Sequence, residues 1–399
     1  MEKKSILIFG AGINQLELIN AANDLGITSI VIDPSADPPG RVLADFYYQV
    51  HGNDYEMTKQ IALKHKVGGI VTGQMENPMR LMAKLAQEMD YIFHTPEIVE
   101  RSLNTVRMKE AFIKRSVRCA RGRAFSNQEE LTAEKLADFD YPLIAKPSDA
   151  FSSRGVVKVN SFSDIREAEE ETRSYSSDST LIVEEYLEGR EFSVECITYK
   201  GITTVVQVTE KFITPYPYTV EMAHLQPARI SDWEREEIEA LVREAILAIG
   251  IDNSASHAEV MLTEKGPLMI EIGARLGGDF ISSHLTKAST GVSMDKSAIQ
   301  IALGLKPDLS KKCNQYAMLK YIELGIGQQV GKVSPFVDLQ DLEGFVFAYC
   351  FVKEGDIIPA IKHSAQRSVC LLMKAPSEDL LFEKSKNGEQ LMRQKIELL

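Results

Sequence analysis

Short apolar runs alternate with amphipathic helical stretches along the first hundred residues, and glycine or polar residues separate them. The alternation comprises strands over 5–9, 29–33 and 69–72 and helices over 15–25, 55–65 and 77–88. Strands that alternate with helices are typical of parallel sheets covered by helices. We therefore predict a parallel α/β unit for this region.

The pattern changes after Pro142, where short turns begin to join successive apolar runs, as in antiparallel sheets. The predicted strands there span 143–146, 156–159, 180–185, 191–198 and 203–209, flanked by predicted helices over 163–172 and 232–248. A predicted helix over 106–115 precedes them and opens this second region. From about residue 310, strands over 317–323, 345–352 and 368–374 and a helix after Pro376 follow. The predicted fold class is α/β plus α+β, divided into residues 1–100, 101–308 and 309–399.

Composition narrows the classes of function. The net charge of −12 argues against a nucleic-acid partner, because a phosphate backbone requires a basic surface. The five cysteines form no C-x-x-C pair, which favours reduced thiols in a cytoplasmic protein. The first residues lack the apolar core of an export signal, and no run approaches a membrane span, so no membrane partner is expected.

Two carboxylates stand on a predicted hairpin. The runs 258–262 and 268–272 are joined by a turn-rich segment, so Glu259 and Glu271 can face each other across the strands. Converging carboxylates need a positive partner, and Mg²⁺ with bound phosphate is such a partner. Arg275 lies just beyond, where a guanidinium could hold a transferring phosphoryl group. The alternative is a solvated hairpin followed by a glycine-rich turn.

The opening Gly10-Ala-Gly12 suggests a dinucleotide site, and Asp33 follows at about the spacing of 20 residues that this site uses. However, Gln15 stands where the motif needs a third small residue. A large side chain there holds helix and strand apart, so NAD binding is disfavoured.

Lys146 ends a buried strand, and a loop rich in small and hydroxyl residues follows at 148–155, including Ser152, Ser153 and Arg154. A lysine at the end of a buried strand is costly unless it meets an anion, and such a loop can fold its N–H groups over phosphates. The structural alternative is a lysine beside a flexible turn.

A second strand runs into a hinge at Glu184–Leu187, turns at Gly189 and restarts at Glu191. A hinge backbone can recognise adenine with one N–H and one C=O, although a turn with solvated acids is also common. The segment 214–224 is predicted to be an ordered aromatic loop that carries Tyr216, Tyr218 and His224, suited to a substrate wall. His257 precedes Glu259 by two residues and could orient it.

Taken in order, these pieces resemble the ATP-grasp superfamily over about residues 1–305. Within it, the sequence looks most like the bacterial L-amino-acid ligases, on Glu221 and His224 three apart and the run from Arg275 to Gly278. The resemblance implies an N-terminal pre-ATP-grasp domain, a small lid lobe over about 115–187, a large lobe over about 188–308 and a C-terminal subdomain.

By that resemblance, each motif acquires a role. The ATP-binding residues are Lys146, Ser152, Ser153, Arg154, Glu184, Glu185, Leu187 and Glu191; the metal ligands are Glu259 and Glu271; the substrate residues are Glu221, His224, Arg275 and Gly277. Lys146 and Arg275 are the expected catalytic residues. ATP and Mg²⁺ are the expected cofactors, with Mn²⁺ as an alternative ion, and a homodimer is left open.

Two positions depart from the family pattern. Gly273 stands where an asparagine usually binds the second Mg²⁺, and Thr105 stands where a second phosphate-binding lysine or arginine usually follows Asn104. Arg107 and Lys109 on the same helix are alternative cations.

The function expected from these motifs is an ATP-dependent carboxylate–amine ligase that forms an acyl phosphate from a small-molecule carboxylate and joins it to an amine. The Gly10–Gly12 loop is expected to help wall the substrate pocket. The alternatives are a carbamoyl-phosphate-synthetase-like or purine-pathway ligase, and a degenerate nucleotide-binding module without turnover.

Overall fold

A parallel sheet forms the N-terminal part of the chain, as predicted. The computed structural model describes residues 4–150, 154–215 and 219–399. Four strands pair in parallel in the order β3-β2-β1-β4. The elements are β1 (Ser5–Phe9), α1 (Leu16–Asp24), β2 (Thr28–Asp33), β3 (Phe46–Gln49), α2 (Tyr55–Lys64), β4 (Ile70–Thr72) and α3 (Met79–Met89). The sequence pattern missed β3, a half-exposed edge strand without an apolar run.

A four-stranded antiparallel sheet, called here the small sheet, follows two linking helices. Its strand order is β5-β8-β6-β7, and α6 packs on it. The elements are α4 (Pro96–Leu103), α5 (Thr105–Lys114), β5 (Gly122–Phe125), β6 (Leu143–Pro147), β7 (Val157–Val159), α6 (Phe162–Ser174) and β8 (Leu181–Glu185). The α+β character predicted after Pro142 is confirmed by these antiparallel pairings.

An eight-stranded sheet, the large sheet, has the order β13-β12-β9-β10-β11-β14-β17-β16. Its first elements are β9 (Arg190–Tyr199), β10 (Ile202–Ile213), β11 (Glu221–Gln226), α7 (Asp232–Ile249), β12 (Ser254–Thr263), β13 (Gly266–Gly273), α8 (Thr286–Thr290) and α9 (Met294–Ala302). The remaining elements are β14 (Tyr316–Ile322), β15 (Val330–Val333), β16 (Phe345–Cys350), β17 (Val369–Ala375), α10 (Glu378–Gln394) and β18 (Ile396–Leu398). The C-terminal segment therefore continues the large sheet through β14, β17 and β16.

Helix α7 anchors the large sheet. It begins at a capping box between Ser231 and Glu234, in which each side chain bonds the other residue's backbone N–H, and it ends at Gly250 in the left-handed conformation. Its apolar face, which includes Ile238 and Val242, is fully buried together with Phe192 of β9. Burying such side chains contributes about 1.5–3 kcal/mol each, and it leaves the opposite end of the strands free to build a site.

One element was assigned wrongly from the sequence. The segment that carries Glu221 and His224 was predicted to be a loop, but both residues lie on strand β11, where Lys211 of β10 pairs with His224. The prolines that suggested a loop, at positions 215 and 217, precede the strand, and β11 pairs on both sides, with β10 and β14. Tyr216 and Tyr218 lie outside the described residues. In the ranges that the structure describes, no helix has the length and apolar composition to cross a bilayer.

Candidate functional site

A cleft of about 930 Å³ lies between the small and large sheets. Eleven of the residues singled out in the sequence line it: Lys146, Arg154, Glu184, Glu185, Leu187, Glu191, Glu221, His224, Glu259, Glu271 and Arg275. Ser152 and Ser153 lie outside the described residues. Gly277 is buried and does not line the cleft.

The predicted hairpin is formed by β12 and β13, and Glu259 pairs directly with Glu271 across it. A β-bulge follows Glu259, so the register changes immediately after this pair. A bulge re-aims side chains, a common device beside active sites. The two carboxylates therefore converge on the cleft, as the sequence indicated.

Glu259 and Glu271 differ in their surroundings. Glu259 lies 2.9 Å from the Lys211 ammonium and 3.6 Å from His257 Nε2. Although burial opposes ionisation, these two cations hold the pKa of Glu259 well below its usual range. Glu271 is exposed to solvent within the cleft and has no cationic side chain within ion-pair distance in the described part of the chain. Partial desolvation by the surrounding cleft and the charge of Glu259 raise its pKa to about 7. Among the described residues, Glu271 thus lacks an ion-pair partner.

These carboxylates fit a divalent cation. Oxygen donors are what Mg²⁺ and Mn²⁺ prefer, and Mg²⁺ is commonly held by one or two carboxylates together with phosphate oxygens. A cation beside Glu271 would relieve the repulsion that raises its pKa. Gly273 lies two residues on and carries no ligand atom on its side chain, so the asparagine of the family pattern has no counterpart at this position.

Behind the pair, His257 is held by a buried carboxylate. Its Nδ1 lies 2.5 Å from Glu195 Oε1, and Glu195 is fully buried on β9. Burial disfavours a charged ring, but Glu195 and Glu259 together raise the pKa of His257 to about 9. The suggested orienting role of His257 toward Glu259 is therefore supported by its contacts.

Lys211 is the centre of the charged cluster and was not singled out in the sequence. Its ammonium contacts Glu191, lies 2.9 Å from Glu259 and lies 3.3 Å from Glu221. Burial opposes its charge, but the three carboxylates raise the pKa of Lys211 well above its usual value. Burial raises the pKa of Glu191 in the same cluster. A single fixed cation therefore holds together carboxylates from three strands.

At the other end of the cleft, Lys146 lies 2.9 Å from Glu184 across the small sheet. Lys109 lies 3.1 Å from the same carboxylate and donates to the Ala120 carbonyl at 2.6 Å. Thr105 lines the cleft, whereas Arg107 and Lys109 do not. Lys109 therefore supports Glu184 rather than replacing a cation at Thr105.

The hinge after β8 closes this end. Gly189 approaches β12 so closely that a Cβ would lie 2.2 Å from the Leu262 carbonyl oxygen, which explains why a glycine is needed there. Arg121 holds Glu185 twice: its Nε donates to the Glu185 carboxylate at 2.9 Å, and its carbonyl accepts the Glu185 N–H at 2.9 Å. Apolar side chains line the same region: Ile144, Val156, Leu187, Met261, Met269 and Ile270. An apolar slot beside a polar backbone edge suits a planar heterocycle.

The opposite end carries paired charges. Arg275 donates from Nε to Glu76 Oε1 at 2.7 Å, and Glu76 comes from the loop after β4 of the N-terminal sheet. His224 Nε2 lies 3.1 Å from Asp279, and Ser364 Oγ lies 3.2 Å from Glu221. This end is therefore built from all three regions of the chain.

Gly277 has a packing role. A Cβ at this position would lie 2.6 Å from His257 Nδ1 and 2.7 Å from Glu195 Oε1. Its N–H donates to Ser282 Oγ at 2.7 Å. The absence of a side chain at this glycine thus leaves room for the Glu195–His257 pair, and the glycine itself does not contact the cleft.

The glycine loop after β1 is not arranged for a dinucleotide. The buried Gln15 side chain packs over Gly10 and Gly12, and Asp33 accepts the Ala11 N–H at 2.8 Å. The space and the carboxylate that a dinucleotide requires are therefore occupied by the protein itself. The expectation that this loop walls the substrate pocket is wrong, because the adjacent Asn14 lines the cleft and Gly10–Gly12 do not.

Sequence reasoning missed Glu76, Lys211 and Arg367. Lys211 ends a long strand, and the Glu-Lys pair at 210–211 was a usable signal, since a charge among apolar β positions is rarely buried without partners. Glu76 and Arg367 lie on connections without periodicity, and no local pattern distinguishes them from surface charges.

Comparisons with known proteins agree with this architecture. Residues 139–283 match the family model of the ATP-grasp domain. The chain is 31% identical to a D-alanine–D-alanine ligase of Flavobacterium johnsoniae over 147 residues, which cover 35% of this chain and 45% of that protein. It is 25% identical to dapdiamide A synthase of Enterobacter agglomerans over 239 residues, which cover 57% and 55%. The chain thus spans about half the length of these curated relatives.

A similar fold is found along the whole chain. The crystal structure of an L-amino acid ligase from Bacillus licheniformis superposes with a TM-score of 0.83 at 20% identity, covering 100% of this chain and 99% of that one. At that identity the likeness concerns the fold. Residues 139–283 are thus similar to the ATP-grasp domain, and the whole chain has the fold of that ligase structure.

Proposed function

We propose that the protein is an ATP-dependent carboxylate–amine ligase. The observation that carries this proposal is the arrangement of one cleft: an apolar slot beside the hinge at one end, the Glu259–Glu271 pair in the middle and the Arg275–His224 region at the other end. A volume of about 930 Å³ is at the upper end for small-molecule sites and leaves room for a nucleotide and a second ligand.

The nucleotide is proposed to lie along the slot. The hinge backbone at Glu185 and Leu187 would bind adenine, and Glu191 would accept from ribose hydroxyls. Lys146 would shift from Glu184 to the phosphates, and Arg154, which lines the cleft, would add a second positive charge beside them. Mg²⁺, or Mn²⁺ in its place, would be held by Glu259 and Glu271 and would supply positive charge to the phosphate oxygens.

The reaction is proposed to have two steps. The γ-phosphoryl group passes from ATP to a substrate carboxylate oxygen, which breaks the bond to ADP and forms an acyl phosphate. An amine then attacks the acyl carbon, a carbon–nitrogen bond forms, and phosphate and the amine proton leave. Lys146 and Arg275 would stabilise the phosphoryl group, since such transfers depend mainly on positioning and charge.

The substrates are proposed to be an amino acid and a second amino acid or small amine. The carboxylates of Glu76 and Glu221 suit an ammonium group, and the Arg275 guanidinium suits a carboxylate. Bicarbonate, which a carbamoyl-phosphate-synthetase-like enzyme would use, needs neither acidic side chain. One of the relatives named above is a D-alanine–D-alanine ligase, which agrees with an amino-acid substrate.

The proposal is tested by measuring ADP and phosphate released from ATP with Mg²⁺ and pooled amino acids and amines. We expect release that requires both a carboxylate and an amine. Phosphate release with bicarbonate or a ribotide alone would favour the carbamoyl-phosphate or purine-type alternative. If ATP binds but no pool gives phosphate release, the protein is a nucleotide-binding module without turnover. The lack of a phosphate-binding side chain at Thr105 would fit that role.

Lys146→Ala is expected to lower kcat/KM for ATP about 100-fold or more, as expected when a preorganised charge is lost. Lys384→Ala is the matched control, because Lys384 is as buried as Lys146, with side-chain exposures of 12% and 14%, and is also paired with a glutamate. Lys384 lies on α10 and does not line the cleft, so its loss should leave kcat/KM for ATP unchanged. Equal effects of the two substitutions would contradict the role given to Lys146.

A further inference from the structure

Arg367 belongs to the C-terminal segment, where it precedes β17, yet its guanidinium is buried beside the substrate end of the cleft. Its Nη1 and Nη2 donate to the two carboxylate oxygens of Asp279, each at 2.6 Å. Nη1 also donates to the Glu221 carbonyl at 2.9 Å. The guanidinium carbon lies 3.6 Å from the centroid of the Tyr321 ring. Arg367 thus ties together β11, β14 and the segment after β13.

Asp279 is held tightly by these contacts. Its φ of +50° lies in the left-handed region, which a non-glycine residue adopts at a cost. Burial opposes its ionisation, but Arg367 and His224 hold the pKa of Asp279 well below its usual range. The carboxylate is therefore an acceptor in a fixed position, and a bidentate pair with arginine defines its orientation as well as its charge.

His224 depends on that carboxylate for its orientation. Its Nε2 lies 3.1 Å from Asp279 Oδ2, while its Nδ1 is buried and has no hydrogen-bond partner in the described part of the chain. An ionised carboxylate accepts a hydrogen bond only from a protonated nitrogen, so Nε2 carries the proton. The edge of the ring also meets Tyr321, on which Arg367 stacks. Arg367 therefore acts on the imidazole through both of its neighbours.

We propose that Arg367 is a positioning residue for the substrate end of the cleft. By fixing Asp279, it holds His224 as the Nε2–H tautomer in one orientation, and through the Glu221 carbonyl it fixes the strand that carries both residues. The C-terminal segment thereby completes the substrate site. Its effect on turnover rests on the ligase function proposed above, whereas its effect on His224 does not.

The first test reads the imidazole directly. In the wild-type protein, ¹⁵N NMR of the histidine rings, with His224 assigned by a His224→Gln variant, should show Nε2 protonated. Asp279→Asn keeps the size of the side chain and suits a left-handed backbone, but its amide can donate as well as accept. We expect a changed tautomer ratio for His224 in Asp279→Asn and in Arg367→Lys, whose ammonium cannot form the bidentate pair. Unchanged His224 signals in both variants would overturn the proposal.

The second test uses the assay of phosphate release. Arg367→Lys and Arg367→Gln should raise KM for the amine or carboxylate substrate, or lower kcat, by about 10- to 100-fold, as is usual for residues that orient a ligand-binding group. KM for ATP should stay within about twofold. Equal loss of all parameters in proportion to the unfolded fraction would mean a purely structural role and would contradict the proposal.

Arg393→Gln is the matched control. Arg393 is also in the C-terminal segment, and it also bonds a carboxylate and a carbonyl, those of Glu389 and Glu323, but it does not line the cleft. It should leave the His224 spectrum and the kinetics unchanged. If Arg367→Gln fails to fold, Arg367→Lys and Asp279→Asn carry both tests. If no ligase substrate is found, the proposed function fails, while the tautomer measurement still decides whether Arg367 positions His224.

Discussion

At the scale of single residues, charge balance explains most of the candidate site. Lys211 serves three carboxylates, from Glu191, Glu221 and Glu259, and is itself buried. Removing the partners of a buried cation destabilises the fold strongly, because breaking a buried ion pair costs about 3–5 kcal/mol. Glu271 is the exception, because no cation among the described residues lies within ion-pair distance of it. Among these carboxylates, Glu271 is therefore the one at which a divalent cation is expected.

Glu271→Gln should abolish Mg²⁺-dependent phosphate release while the fold remains intact. The substitution removes a charged oxygen that is an expected ligand of the cation, and the neutral amide that replaces the carboxylate binds Mg²⁺ more weakly. Circular dichroism should show an unchanged fold. Unchanged Mg²⁺-dependent phosphate release in this variant would show that Glu271 is not a ligand of the cation.

Metal-free stability provides an independent check on the same residue. The pKa of Glu271 is about 7 in the fold against an ordinary 4.5, so the folded protein retains a proton that the unfolded chain has lost. Stability attributable to this carboxyl is therefore present below about pH 4.5 and is lost as the pH rises to about 7. The melting temperatures of wild type and Glu271→Gln are compared in the presence of a chelator. The wild-type value minus the variant value should decrease as the pH is raised from about 5 to about 8. A constant difference would show that Glu271 is not strained by Glu259.

At the scale of elements, the β12–β13 hairpin and the segment after it set the site geometry. The register places Glu259 opposite Glu271, and the tight path after β13 brings Arg275 and Asp279 to the cleft. That path requires Gly277, because the Glu195–His257 pair fills the space of a side chain. Within this segment, the glycine at 277 is therefore a packing requirement.

Gly277→Ala should destabilise the protein by about 1–3 kcal/mol, the usual cost of overpacking. Its Cβ would meet two fully buried polar groups that have no room to move. Gly278→Ala is the control for stability, since a Cβ there meets nothing within 4 Å. Urea unfolding of both variants measures the difference. Equal free energies of unfolding would mean that the Glu195–His257 pair can relax.

At the scale of the whole molecule, the large sheet crosses the predicted boundary near residue 309. Strand β11 pairs with β14, and β14 pairs with β17, so residues on both sides of that boundary share one sheet and one hydrophobic core. The three-part division stays a useful description of the sequence. Physically, the C-terminal segment is the continuation of the sheet that carries Glu221 and His224.

Deletion of residues 309–399 should therefore yield a chain that does not unfold cooperatively on its own. It would expose the edge of β11, the apolar cluster around Leu225 and the unpaired Asp279 carboxylate. Thermal unfolding followed by circular dichroism measures the loss of cooperativity. Co-expression of the two pieces is the control and should restore a soluble complex. A soluble fragment 1–308 with a sharp transition would show that the segment is dispensable for folding.

Local patterns account for much of the fold and for part of the site. Periodicity located most strands and helices to within a few residues, and a short hairpin can be recognised from its turn and its alternation. The Glu259–Glu271 pairing was predictable for the same reason, since both residues belong to one hairpin. The strands β3 and β11 were not, because β3 is a half-exposed edge strand without an apolar run and β11 follows a segment whose prolines suggested a loop.

The sequence by itself determined the order of elements, the carboxylate hairpin, the hinge after β8 and the lysine at the end of β6. Only the tertiary structure decided which charges meet. Arg275 and Glu76 are 199 residues apart, and Arg367 and Asp279 are 88 apart. Such pairs depend on the order of strands in the sheets and on the path of loops without periodicity. A local pattern carries no information about either, so Lys211, Glu76 and Arg367 emerged only when the chain was folded.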